Sequence, residues 1–132
     1  MAATAETINT ATLIMKAEEA AHAAMRTAKT SPMVVRQHAS PFNDSSPVVK
    51  EWFVPEGPCG FAWVVINPAR GPLVAELKRQ KKGHKHYPAG YCVWMGQLNH
   101  TQSVEVLEAG ANAYANVLQA AGVKCYADSR LD

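Results

Sequence analysis

The chain has 132 residues, the length of one ordinary domain, so it can bury one hydrophobic core but not two. Hydrophobic residues make up 48% of the chain and charged residues 18%, a composition that excludes a disordered or fibrous protein. The net charge of +2 does not single out a class of partner, and no apolar run reaches the roughly 18 residues of a membrane span.

Cysteine usage and the N-terminal sequence indicate a cytoplasmic protein. Cys59, Cys92 and Cys125 cannot all pair within one chain, and two of them lie in predicted strands, where a reduced thiol behaves as a small core side chain. Disulfides are rare in the cytosol, and the N-terminal sequence has neither the positive leader nor the apolar stretch of a secretion signal. We therefore expect no secretion and no membrane partner.

The first predicted element is an amphipathic helix over residues 6–29, within an N-terminal segment 1–29. One face of this helix is rich in alanine: Leu13, Ile14, Ala17, Ala20, Ala21, Ala24, Met25 and Ala28. Alanines bury little area each, so the helix needs a partner surface to be stable. That partner is either the sheet of the same chain or a neighbouring subunit, and the second alternative makes residues 6–29 a homo-oligomerisation element.

Residues 30–47 are predicted to form an irregular but ordered arm, because Pro32, Pro41 and Pro47 prevent a continuous helix.

The sequence that follows residue 47 has the pattern of β-strands. We expect VVKEWFV, from Val48, and FAWVVI, from Phe61, to form a hairpin whose second strand is central in the sheet. The tryptophans of the predicted strands, Trp52, Trp63 and Trp94, are expected in the core.

The remaining elements complete a core over residues 48–132. They are a short helix from Pro72 to Gln80, a strand from Tyr91 to Met95, a helix over 104–121 capped by Ser103, and a terminal strand VKCYA. The order α-β-β-α-β-α-β predicts a single-domain α+β fold. We expect a mixed sheet of about four strands with helices packed on it.

Positive charge is concentrated between Arg70 and His86, where six Lys or Arg accompany one acid, so this stretch carries +5 and the rest of the chain −3. Such residues can contact phosphates while a tyrosine, Tyr87 or Tyr91, offers a stacking plane. The predicted anion-binding or nucleic-acid-binding residues are Arg70, Lys78, Arg79, Lys81, Lys82, Lys85, Tyr87 and Arg130. The alternatives are a solvated charge run and, for Arg130, an ion pair with Asp128 or Asp132. No glycine-rich phosphate-binding motif occurs.

Two further patterns indicate a metal site or a catalytic nucleophile, and both are weaker indications than the concentrated positive charge. His84, His86 and Cys92 carry zinc-ligand chemistry, but their spacing is not that of a zinc finger. Cys59 precedes a strand and could act as a nucleophile only if the fold brought His38 or His100 to it. We predict no catalytic residues and no cofactor, so an enzyme is the less favoured class.

The segments PCGFAWVVI, at residues 58–66, and YADSRLD, at residues 126–132, give the C-terminal part of the chain, 58–132, its similarity to known sequences. This part resembles small uncharacterised proteins encoded by bacteriophages. The resemblance implies a viral setting, with the host cytoplasm as location, but no activity and no functional residue.

Together these observations predict a non-enzymatic binding module that captures a polyanion, either nucleic acid or an acidic protein surface, through the basic loop at residues 78–85. The alternative is a structural protein that assembles through the alanine-rich helix.

Overall fold

The computed structural model describes residues 2–40, 42–55 and 57–132, with side chains from residue 10 onward in those ranges. Met1, Pro41 and Glu56, which the predicted segments include, lie outside the described residues. The helices are α1 (Ala2–Thr27), α2 (Pro72–Arg79) and α3 (Val104–Ala120). The strands are β1 (Met33–His38), β2 (Val48–Val54), β3 (Gly60–Ile66), β4 (His84–Lys85), β5 (Tyr91–Trp94) and β6 (Cys125–Leu131), and a single 3₁₀ turn covers Met95–Gln97.

Four strands form the main sheet in the order β4-β5-β3-β6, which confirms the predicted α+β class and the interior position of β3. All of its neighbouring strands pair antiparallel, so the expected mixed pairing is wrong. The reason lies in the connections. β3 ends where β5 begins, and α3, at 17 residues and about 25 Å long, runs back along the sheet so that β6 starts beside the end of β3.

The three helices cover one face of this sheet, which we call the inner face. Its buried side chains come from alternate positions of β3 and β5: Ala62, Val64, Ile66, Tyr91 and Val93. They form one cluster with Leu73, Val74 and Leu77 of α2 and with the apolar side of α3. The predicted cap is confirmed, since the Ser103 hydroxyl accepts a hydrogen bond from the Val106 amide, and Gly122 ends α3 with φ 87°.

The alanine-rich face of α1 is buried within the chain. Ile14, Ala17, Ala21 and Met25 are each 5% exposed or less and pack against α3 and α2. The two helices approach each other closely at Gly110 of α3, where an added Cβ would lie 2.7 Å from both Cγ and Sδ of Met25. The partner surface that the helix needs is therefore supplied by the other helices of the same chain.

The first two strands do not join the main sheet. β1 and β2 pair with each other as a separate two-stranded sheet, so residues 33–38 are not irregular and the predicted pairing of β2 with β3 is wrong. Pro32 lies just before β1, whereas Pro47 and the polar residues that indicated irregular structure lie in the connection between the strands, where the Ala39 amide donates to the Pro47 carbonyl at 2.8 Å. From here on the arm means residues 33–54, that is β1, β2 and their connection, and not the predicted segment at residues 30–47.

The arm has exposed side chains on both faces. Every described residue of β2 except Val54 is exposed, as are residues 34–37 of β1. A strand pair that packed on the core would alternate between buried and exposed positions. Trp52 is 40% exposed, so its predicted place in the core is wrong, because its strand pairs in the separate two-stranded sheet and not in the main sheet.

Close packing of α1 on α3 leads to the first prediction. Gly110→Ala should lower the free energy of unfolding by about 1 to 2 kcal/mol, because overpacking against Met25 outweighs the gain in helix propensity. Urea unfolding provides the measurement. Gly96→Ala is the matched control, since no atom lies within 4 Å of its added Cβ. A Met25→Ala background should remove the penalty, and an equal loss in both backgrounds would contradict the assigned contact.

The buried hydroxyl of Tyr114 leads to the second prediction. Tyr114 is fully buried, and its hydroxyl has no hydrogen-bond partner among the described residues. Burial raises the pKa of Tyr114 well above its ordinary value. Tyr114→Phe should therefore raise the free energy of unfolding at neutral pH by about 1 kcal/mol, because it removes an unpaired buried polar group.

The raised pKa fixes the sign of the pH dependence. The protonated tyrosine favours the folded chain, and this contribution to the free energy of unfolding is complete below the pKa of about 10 that tyrosine has in the unfolded chain. The contribution is lost as the pH rises toward the higher pKa of Tyr114 in the folded chain. Tyr114→Phe should lose less stability than the unaltered chain between pH values of about 8 and 10.5 in urea unfolding. Tyr126→Phe, at an exposed tyrosine, is the control and should leave the free energy of unfolding at neutral pH unchanged. Destabilisation by Tyr114→Phe at neutral pH would show that the hydroxyl has a partner.

Candidate anion-binding site

A cleft with three cations lies at the end of the main sheet where β3 ends and where β5 and β6 begin. Its volume is about 550 Å³. The lining residues are Asn67, Pro68, Ala69, Arg70, Lys85, Ala89, Gly90 and Lys124. Arg70, Lys85 and Lys124 therefore border one concave surface, and no carboxylate is among the described residues that line it. We call this surface the basic cleft.

Backbone contacts hold the three segments of the basic cleft together. The Asn67 amide donates to the Lys124 carbonyl at 3.0 Å, which ties the end of β3 to the start of β6. Gly90, with φ 101°, lies so close to β3 that an added Cβ would be 2.7 Å from Asn67 Oδ1. This tight fit holds the turn between β4 and β5, and with it Lys85, against the end of β3.

Two other cations of the basic stretch are already paired with carboxylates. Lys82 Nζ lies 2.7 Å from Glu18 Oε2 of α1. Arg79 donates to Glu76 one turn earlier on α2, and these hydrogen bonds lower the pKa of Glu76. Lys82 and Arg79 therefore stabilise the packing and the end of α2, and the predicted loop at residues 78–85 is not a uniform contact surface.

The remaining residues of the predicted loop differ in their surroundings. Lys78 is exposed and its Nζ lies 5.8 Å from the centre of the Tyr91 ring. Lys81 is exposed at the end of α2, with φ 59°. Tyr87 is 90% exposed in the turn between β4 and β5, the turn that also contains the cleft residues Ala89 and Gly90.

Arg130 lies at the opposite end of the sheet, on the outer face that carries no helix. Its guanidinium is 5.4 Å from the Phe61 ring centre and 6.0 Å from that of Trp94. Trp94 stacks on Trp63 at 5.1 Å, and Phe61 tilts against Trp94 at 5.5 Å. We call Phe61, Trp63, Trp94 and Arg130 the aromatic face. In the described part of the chain Arg130 forms a cation–π contact and no ion pair.

Within the described residues, the outer face combines a buried, unpaired donor with two accessible rings. Trp63 is 8% exposed, and its Nε1 has no hydrogen-bond partner among the described residues. Trp94 is half-buried and Phe61 is 36% exposed, so both rings are accessible from solvent. Asp128, paired with Trp63 across the strands, is the carboxylate on this face and would repel a phosphate placed directly over it.

His84 and Cys92, two of the predicted low-ranking metal ligands, lie in contact with each other. His84 Nε2 lies 3.1 Å from Cys92 Sγ, and no group of three metal-ligating side chains occurs in the described ranges. Cys92 is fully buried, and burial raises its pKa, so the thiol stays protonated, whereas a nucleophile or zinc ligand is a thiolate. Cys59 is exposed, and no described imidazole is hydrogen-bonded to it.

Of the cations that border the basic cleft, Arg70 and Lys85 are among the residues predicted from sequence, whereas Lys124 is not, and neither are the accessible rings of the aromatic face. Lys124 is an isolated cation in sequence, and only the pairing of β6 with β3 brings it to the cleft. Phe61 and Trp94 lie on the same face of the sheet as the buried Trp63, Val65 and Cys92. The apolar run FAWVVI could not indicate which of these rings stay accessible, because such a run predicts burial on both faces.

Comparison with known proteins provides no relative from which to transfer a function. No family matches the chain, and no curated protein or solved structure is significantly similar to it. None of the helices in the described ranges is long and apolar enough to cross a membrane. The viral setting stays a prediction from sequence resemblance, and the function must be inferred from the chemistry of the chain itself.

Proposed function

We propose that this chain binds a polyanion, specifically single-stranded nucleic acid, and that the basic cleft contacts its phosphates. The observation that carries the proposal is the convergence of Arg70, Lys85 and Lys124 on one cleft without a carboxylate among its described lining residues. Cations that border a concave surface raise the local concentration of anions, and they release counterions when phosphates bind. Lys78 and Lys81, both exposed, add positive charge beyond the cleft.

The aromatic face supports nucleic acid rather than an acidic protein surface as the polyanion. Accessible rings next to an arginine can stack on bases, a contact worth about 1 to 3 kcal/mol per base that does not depend on sequence. β3 joins the two surfaces, with Phe61 near its start and the cleft at its end. Its seven residues span about 23 Å, so one extended strand of nucleic acid could reach both surfaces.

Salt dependence gives the third prediction. Binding of an oligothymidylate should weaken linearly with the logarithm of salt concentration. Replacing Arg70, Lys85 and Lys124 together by Gln should reduce the slope by about 2, since each phosphate contact on a single strand contributes about 0.7. Fluorescence anisotropy of a labelled oligomer measures both the slope and the affinity.

The control for this prediction is Lys29→Gln, which removes an exposed cation near the opposite end of the sheet. It should leave the slope unchanged within about 0.3. Absence of binding at low salt would refute the proposed function. An equal effect of Lys29→Gln and a single cleft substitution would show that only the net charge matters, and this result would refute the assignment of the cleft.

Base stacking gives the fourth prediction. The chain should bind an oligothymidylate about tenfold more tightly than an abasic oligomer of the same length and charge, because only the first offers bases to the aromatic face. Phe61→Leu keeps an apolar side chain but removes the ring. It should weaken binding of the oligothymidylate and leave binding of the abasic oligomer unchanged. Equal affinities for the two oligomers would restrict the site to phosphates alone.

Self-association through the alanine-rich face of residues 6–29 has no comparable support. The residues of that face which would contact a neighbouring subunit pack against α3 and α2 instead. Assembly through this helix therefore stays a prediction from sequence, and it would need a surface of α1 other than the alanine-rich face.

A further inference from the structure

The arm presents the largest set of exposed apolar side chains in the described part of the chain. Phe42 is 97% exposed and Phe53 is 67% exposed. The other large apolar side chains exposed on the arm are Val34, Val35, Val48, Val49 and Trp52. They expose together on the order of 700 Å², taking about 150 to 250 Å² for a whole aromatic side chain. This area is divided between the two faces of the arm, so each face is comparable with the largest apolar patch on a typical monomer, which is about 300 to 600 Å² and is often functional.

The backbone of the arm also lacks partners. β1 and β2 pair only with each other, so each strand has one edge whose amides and carbonyls have no strand partner within the described chain. A two-stranded hairpin is at best marginally stable in water, and an unpaired edge invites another strand. The arm therefore lacks both the packed face and the additional strand that normally stabilise a sheet.

The base of the arm is fixed to the body of the protein. The Thr30 hydroxyl donates to the Pro55 carbonyl at 2.7 Å, across the two chain segments that enter and leave the arm. The Ser31 amide donates to Glu105 Oε2 at 2.6 Å, which connects the entering segment to the first turn of α3. A partner held by the arm is thereby held to the whole chain.

The charges of the arm argue against a polyanion as the group that covers it. Residues 33–54 contain two cations, Arg36 and Lys50, and two carboxylates, Asp44 and Glu51, so they carry no net charge. Arg36 Nε lies 2.8 Å from Glu51 Oε2, and Lys50 Nζ lies 4.6 Å from the Trp52 ring centre. The exposed surface is thus apolar and electrically balanced, in contrast to the basic cleft.

We propose that the arm is the contact by which a second copy of this chain binds. One face of the arm together with Phe42 exposes on the order of 500 Å² of apolar surface, which is close to the apolar part of the roughly 800 Å² that each partner contributes to a standard stable interface. A surface with balanced charge can face its own copy without repulsion, and a two-fold axis sets each strand antiparallel to its counterpart, the pairing that the unpaired edges can complete. The contact is independent of nucleic acid.

Sedimentation equilibrium of the full chain without nucleic acid tests this proposal. The unaltered chain should show concentration-dependent association to twice the mass of one chain. Trp52→Thr combined with Phe53→Thr removes a large apolar side chain from each face of the arm but keeps high strand propensity. It should weaken association by about 100-fold or more. Leu131→Thr is the matched control, because Leu131 is exposed to the same 67% as Phe53 but lies outside the arm.

Hydrogen exchange distinguishes loss of the contact from loss of the arm's own structure. In the unaltered chain, amides of β1 and β2 should become more protected as protein concentration rises. The double variant should keep the low-concentration protection and lose only the increase. A chain that stays monomeric at about 100 µM, or an association that Leu131→Thr weakens as much as the double variant does, would overturn the proposal.

Discussion

The close approach of α1 and α3 is the constraint on which the rest of the structure depends. Gly110 allows Met25 of α1 to lie against the backbone of α3, and the two helices then cover the inner face of a sheet whose strands are short. α3 is about as long as the sheet itself, so its ends fix both ends of the sheet. At its start the Val104 amide donates to Pro58, and after its end the Lys124 carbonyl accepts from Asn67.

Placing every helix on one face determines where the chain can present functional groups. The outer face keeps its rings accessible, and the connections at the ends of the strands carry the charges. The cations of the basic stretch divide accordingly. Lys82, one residue beyond the turn of α2, reaches Glu18 of α1, whereas Lys85 lies against the end of β3 and stays available. The sequence shows only a run of cations. The packing of the helices decides which of these cations pair with a carboxylate and which stay accessible.

Local sequence signals predicted the individual elements well and their pairing poorly. Three predictions that depend only on nearby residues are confirmed: the interior strand at Phe61, the helix that begins at Pro72 and the cap at Ser103. The pairing of β2 was not predicted because its partner, β1, lies between prolines that indicated irregular structure. The antiparallel pairing of β6 with β3 depends on the path of α3, which local sequence does not determine. For the same reason Arg70 and Lys85 were predicted, while Lys124 required knowledge of which strand lies beside β3.

The arm and the basic cleft differ in physical character, and this difference separates their responses to solution conditions. Contacts between a cleft and phosphates weaken as salt screens them, whereas apolar contacts on an arm without net charge do not lose strength with added salt. Joining two chains through their arms would also give one assembly two clefts. Once one cleft has bound a nucleic acid strand, the second cleft of the same assembly meets that strand at a high effective concentration. Two clefts of modest individual affinity then bind a long polyanion tightly, whereas a polyanion too short to reach both clefts binds weakly.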